Sequence, residues 1–115
     1  MDGMASIKRV YDPREESDGY RVLVDRLWPR GLTREEAAID DWAKEIAPSS
    51  ALRKWFGHKP ERWVEFETKY RAELREGAAA DALAAIERRA GRVTLLTATR
   101  DLDHSHARIL QRLIG

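Results

Sequence analysis

Two stretches of the sequence concentrate the side chains that could do chemistry. The first is Asp25-Arg26-Leu27-Trp28-Pro29-Arg30-Gly31, which follows the apolar run Val22-Leu23-Val24. The second is Thr99-Arg100-Asp101-Leu102-Asp103-His104-Ser105-His106, which follows Val93-Thr94-Leu95-Leu96-Thr97. A guanidinium is a planar fork that matches phosphate or carboxylate, so Arg26 and Arg30 are candidate anion ligands. Trp28, between them, offers a face to a planar group. His106 and Asp101 are the candidate catalytic pair: a His at the start of a helix is held neutral, and a neutral His beside a carboxylate suits acid–base work. His58, after Trp55-Phe56-Gly57, is a further candidate for the rim of such a site.

Each of these residues also has a plain structural role open to it. Arg26 can pair with Asp25 or Asp101. Trp28 can fill the core, and Asp101 and Asp103 can cap the last helix. His58 can close the end of a short helix. The sequence contains no G-x-S-x-G, P-loop or G-x-G-x-x-G motif. It has no Cys and three His, which excludes a disulfide framework and thiolate chemistry and argues against a structural zinc site. Neither a metal nor a cofactor is expected.

The elements that must position these residues are read from apolar spacing. Strands are expected at about 6–11, 20–25 and 93–98, the last two as continuous apolar runs covered on both faces. Asp18-Gly19 marks a turn before the second. Thr33-Arg34-Glu35-Glu36 reads as a capping box, followed by a helix with Ile39, Trp42, Ala43 and Ile46 at helical spacing, ended by Pro48. Ser49 or Ser50 caps a second helix that stops near Gly57. A third starts at Pro60 and carries the stripe Trp63, Phe66, Tyr70 and Leu74. An Ala-rich fourth covers about 80–90, and a fifth has Ala107, Leu110, Leu113 and Ile114 on one face.

This pattern predicts an α/β layer fold: a short, mainly parallel sheet flanked on both faces by about five helices. The brief 12–19 connection leaves an antiparallel pairing of the first two strands open. In open α/β sheets, ligands sit outside the carboxyl ends of the strands. If the second and third strands are parallel neighbours, the two decorated stretches converge there.

Bulk properties bound the rest. The 115 residues suit one domain, with residues 1–5 as a tail and 6–115 as the folded unit. Hydrophobic residues make up 43%, enough for one modest core. With 21 basic against 20 acidic side chains the net charge is only +1, which argues against a general DNA-coating protein. The beginning, MDGMASIKRV, has no long apolar run, so no membrane span is expected and a cytoplasmic location is the default.

The runs KRVYDP (8–13), DGYRVLVDRLWPRG (18–31), IDDWAKEIAPS (39–49), LRKWFGH (52–58) and VTLLTATRD (93–101) resemble the YeaO-like family, a branch of the domain of unknown function numbered 488. The likeness runs from about Ile7 to Leu113. It implies a single-domain, cytoplasmic bacterial or archaeal protein, and it brings a fold without a reaction. The family pattern matches Arg21, Asp25, Arg26, Trp28, Pro29, Arg30, Gly31, Trp42, Pro48, Ser49, Arg53, Phe56 and Tyr70, among others. Near the end the family reads Asn-His-Ala, where this chain has Ser105-His106-Ala107. In the wider family a Cys-His-Arg run occupies the corresponding place, which marks the segment as a site and makes Ser105 a candidate ligand-binding residue.

Three functions fit these residues. The first is a pocket for a small anion (a phosphate, nucleotide or carboxylate), with or without catalysis: Arg26 and Arg30 hold the charge, Trp28 stacks, and His106 with Asp101 moves protons. The second is a nucleic-acid module, since KRVYD, RLWPR and LRKWFGHK interleave basic and aromatic residues. The third is a domain that docks a protein partner through the Arg-Trp loop.

Overall fold

Alternation of apolar side chains along two neighbouring strands explains why both faces of the sheet must be covered. Val22 and Val24 turn to one face and Leu23 to the other; on the next strand Val93 and Leu95 share the first face and Leu96 takes the second. The computed structural model describes residues 5–115. The tail expected over 1–5 therefore lies, but for Ala5, outside the described residues, and Ala5 opens the first strand.

Four strands form one sheet: β1 (Ala5–Arg9), β2 (Tyr20–Leu23), β3 (Asp41–Trp42) and β4 (Val93–Thr97). Their order is β1-β4-β2-β3 and every pairing is parallel. The three expected strands are present, and the second and third of them are parallel neighbours, with Val22 opposite Leu95. The first is not paired with β2 in either direction. It lies on the far side of β4, with Ile7 opposite Leu95.

The helices are α1 (Arg34–Ala37), α2 (Ser50–Phe56), α3 (Trp63–Glu73), α4 (Gly77–Glu87) and α5 (His106–Ile114). Among the described residues, no helix is long and apolar enough to cross a membrane. The covering of the two faces is unequal. α2 to α5 supply Leu52, Phe66, Tyr70, Ile86, Ala107 and Leu110 to the core on one face. The other face is closed by α1 and irregular chain, through Ala37, Trp28, Leu32, Ile39 and Trp42.

The helix expected from Thr33 to Pro48 is the largest departure. Its capping box forms as read: the Glu36 N–H donates to Thr33 Oγ1 at 3.1 Å, and the Thr33 N–H to the Glu36 carboxylate at 2.9 Å. One turn later Ala38 adopts a left-handed conformation (φ 50°) and stops it. The chain then serves the open edge of β2, with Asp40 N–H on the Arg21 carbonyl at 2.8 Å and Ala43 N–H on the Leu23 carbonyl at 2.8 Å. Ile39 and Trp42 pack on one face of the sheet and Ala43 and Ile46 on the other, so their helical spacing does not reflect a common face.

At the amino end of the sheet, Arg21 is fully buried. Its guanidinium donates to Asp18 at 2.7 Å and to the Ala37 and Ala38 carbonyls at 2.9 Å each, which ties α1 to β2. Lys8 also reaches Asp18, at 3.0 Å. Burial pushes the Asp18 carboxyl up, but the Glu15 N–H, Arg21 and Lys8 outweigh it and hold the group below its ordinary value.

Candidate functional site

Parallel pairing of β2 with β4 brings the carboxyl ends of both strands to one edge. The Val24 N–H still donates to the Leu96 carbonyl at 3.0 Å; beyond it the two chains part. Asp25 bridges them at the point of parting. Its carboxylate accepts from the Thr97 hydroxyl at 2.8 Å and from the Ala98 N–H at 2.8 Å, and its carbonyl accepts from the Trp42 indole at 2.7 Å. A cleft of about 720 Å³ opens above this bridge, between the 25–31 loop, α2 and the start of α5.

Six of the seven residues singled out in the sequence line this cleft: Arg26, Trp28, Arg30, His58, Ser105 and His106. Asp101 does not. It accepts from the His104 N–H at 3.3 Å, at the start of the short turn Leu102–His104, and meets His104 Nδ1 at 2.9 Å. The His104 hydrogen bond holds its carboxyl below the ordinary value. The carboxylate that stands near His106 is Asp25, 3.5 Å from Nε2.

His106 opens α5 and donates from Nε2 to the Val24 carbonyl at 2.9 Å. That bond places the proton of the neutral ring on Nε2 and leaves the lone pair on Nδ1. The ring stands edge-on to Tyr70, centroids 5.9 Å apart, and the Tyr70 hydroxyl is fixed on the Ile46 carbonyl at 2.5 Å. Burial lowers the His106 pKa; Asp25 and the Val24 carbonyl pull it up, and Arg53 adds to the lowering. Ser105 is buried, and its hydroxyl donates to the Leu102 carbonyl at 2.7 Å.

The cationic side chains are far less committed. Arg26 donates from Nη2 to the Ala47 carbonyl at 3.0 Å, while its buried Nε has no partner. Arg30, Arg53 and Lys54 line the cleft, and among the described residues none of the three has a side-chain hydrogen bond or ion pair. Arg53 and Lys54 come from α2, whose start is set by Ser49: Ser49 Oγ accepts from the Leu52 N–H at 3.1 Å and donates to Glu73 at 2.6 Å. Gly57, at φ 52°, ends the same helix, and His58 follows at φ 56° on the cleft rim.

Trp28 is held on several sides. Its indole N–H donates to the Leu32 carbonyl at 2.7 Å, its ring stands edge-on to Trp42 at 5.4 Å, and the Arg34 guanidinium lies over it at 5.3 Å. Sequence reasoning brought in Arg53, Lys54 and Tyr11 only through the nucleic-acid reading of LRKWFGHK and KRVYD, and did not place them in the small-anion pocket. The interleaving of basic and aromatic residues was the signal for all three; nothing in the spacing brought Tyr11, which follows β1 on the outer side of β4, to the same cleft as Arg30.

A family model described as "Inactive DUF488-N3 subclade" matches residues 4–115. The "Uncharacterized protein YeaO" of Escherichia coli (strain K12) is 44% identical over 103 residues, covering 90% of this chain and 90% of the relative. The chain belongs to the YeaO-like branch of the DUF488 family. A second relative, the "Uncharacterized protein Rv3073c" of Mycobacterium tuberculosis (strain ATCC 25618 / H37Rv), is 44% identical over 111 residues, covering 95% of this chain and 92% of its own. No solved structure matches the chain. Among the described residues of this family member, no three His, Cys, Asp or Glu gather in a way that could hold a metal ion.

Proposed function

We propose that this chain binds a small molecule through a phosphate or carboxylate group in the cleft above Asp25, and that it does so without turning the molecule over. The charge of the lining carries the reading. Among the described residues, four cationic side chains (Arg26, Arg30, Arg53 and Lys54) meet one carboxylate, Asp25, in a chain whose total is nearly balanced. Uncommitted guanidinium groups in a concave site are ordinary ligands for oxyanions. A volume of about 720 Å³ lies in the usual range for small-molecule pockets.

Several of the groups that acid–base or nucleophilic chemistry would draw on are engaged in the fold, the His106 Nδ1 lone pair excepted. Both Asp25 oxygens, the Ser105 hydroxyl and His106 Nε2 are spent on the protein's own bonds. The description of the matching family model as an inactive subclade agrees with binding alone. Calorimetric titration of inorganic phosphate and of succinate tests the proposal. Wild type should bind at least one of them, and Arg30→Ala and Arg53→Ala should each weaken binding by roughly tenfold, the worth of one charge-assisted hydrogen bond. Silence at millimolar ligand, or equal affinity in the variants, rules the proposal out.

A further inference from the structure

A bare oxyanion occupies only a small part of a 720 Å³ cleft, so the remainder of the lining speaks to the rest of the guest. Among the described residues, three large apolar or aromatic side chains are exposed: Tyr11 at 39%, Leu27 at 69% and Val64 at 78%. Two of them, Tyr11 and Leu27, line this cleft. Tyr11 is also the better prepared of the two. Its hydroxyl donates to the Arg30 carbonyl at 2.9 Å, which fixes the ring to the loop that carries Arg26 and Arg30. The Arg9 guanidinium lies over the ring, 4.8 Å from its centroid. That guanidinium is itself anchored at the end of β4, on the Ala98 and Thr99 carbonyls at 3.0 and 3.2 Å. The result is an aromatic ring backed by a cation, held at its tip and left open to the cleft.

Building on the anion site above, we infer that Tyr11 is the stacking platform of the cleft, and that the guest is a planar heteroaromatic group joined to a phosphate, the chemistry of a nucleotide. Trp28, the aromatic residue that the sequence offered for this task, is wedged between Trp42 and Arg34. Tyr11 is already exposed to the cleft. A rigid ring stacks a base at little cost in side-chain entropy, and its bonded hydroxyl keeps it beside Arg30.

The experiment is a set of calorimetric titrations with AMP and ribose 5-phosphate on wild type, Tyr11→Leu and Tyr11→Phe. Wild type should bind AMP about tenfold or more tighter than ribose 5-phosphate, the range of one base stacked on one aromatic ring. Tyr11→Leu should erase that preference while binding ribose 5-phosphate as Tyr11→Phe does, since both lose the bond to the Arg30 carbonyl. Tyr11→Phe, which keeps the ring and loses the hydroxyl, should retain the preference. Equal affinity of wild type for AMP and ribose 5-phosphate overturns the inference and leaves the anion site standing. So does an equal loss of both ligands in Tyr11→Leu, which would make Tyr11 a prop for the loop. No binding of any phosphate by wild type removes both. A parallel titration with a ten-residue single strand, compared with AMP at equal salt, tells a free nucleotide from a strand end: tighter binding to AMP supports the former, tighter binding to the strand the latter, and either keeps Tyr11 in its role.

Discussion

Asp25 and Asp101 are both acidic residues just past an apolar strand, yet one sits under the cleft and the other faces solvent. The difference lies in what they close. Asp25 satisfies the Thr97 hydroxyl and the Ala98 N–H, which the parting of β2 from β4 would otherwise leave unpaired, whereas Asp101 caps a surface turn. Sequence spacing reports neither fact, because the partner of Asp25 lies 72 residues away along the chain. His106 depends on the same bridge, and its burial gives a pH signature. Its folded pKa is lowered from about 6.5, so in the window just below that value the unfolded chain binds more protons than the folded one. The stability it contributes is complete above about pH 6.5 and is lost as the pH falls through that value toward the lowered one. Asp25, Arg53 and Tyr70 are the titratable groups that face it. Urea unfolding at pH 7, 6 and 5 should show wild type losing stability, and His106→Gln, whose amide can still donate to the Val24 carbonyl, losing less over the same interval. Parallel pH curves for the two proteins would mean that the imidazole titrates as it does in an unfolded chain.

Secondary structure was legible wherever one cause decided it. β2 and β4 are apolar throughout and lie between two packed faces, so composition alone marks them. The caps at Thr33 and Gly57 are local chemistry and formed where the sequence placed them, and of the two serines it left open for the second helix, Ser49 is the cap. The 34–46 stretch was not legible, because two patterns overlap there. Ile39, Trp42, Ala43 and Ile46 satisfy a helical period, but they are divided between two cores by an edge strand only two residues long. The switch is made at Ala38, where an L side chain sits in the left-handed region. Glycine has no steric penalty there, so Ala38→Gly should stabilise the protein by roughly 0.5–1 kcal/mol. The Ala38 carbonyl still accepts from Arg21 Nε in that variant, so the buried network is unchanged. Equilibrium urea unfolding measures the difference; a loss of stability would place the cost of the turn somewhere other than the Ala38 Cβ.

At the scale of the whole molecule, helical mass is concentrated on one face of the sheet. The stripe read on α3 packs there as a run of rings: Trp63 on Phe66 at 5.5 Å and Phe66 on Tyr70 at 5.9 Å. Phe66 is the buried centre of that run and also lines the floor of the cleft. Phe66→Ala should cost about 3–5 kcal/mol in urea unfolding, and the half-buried Trp63 less; a smaller loss at Phe66 than at Trp63 would put the centre of the core elsewhere. The strand order has a different consequence, one that bears on how the protein is made. β4 lies between β1 and β2, and neither of those pairs with the other. A ribosome finishes β2 at Leu23 and reaches Val93 about 70 residues later, a wait of roughly 4–14 s at ordinary rates of synthesis. Throughout that interval β1 has no strand to pair with, and β2 has only the two residues of β3. The nascent chain therefore carries strand edges with unpaired N–H and C=O groups until the central strand emerges, and the sheet closes around its last-made member.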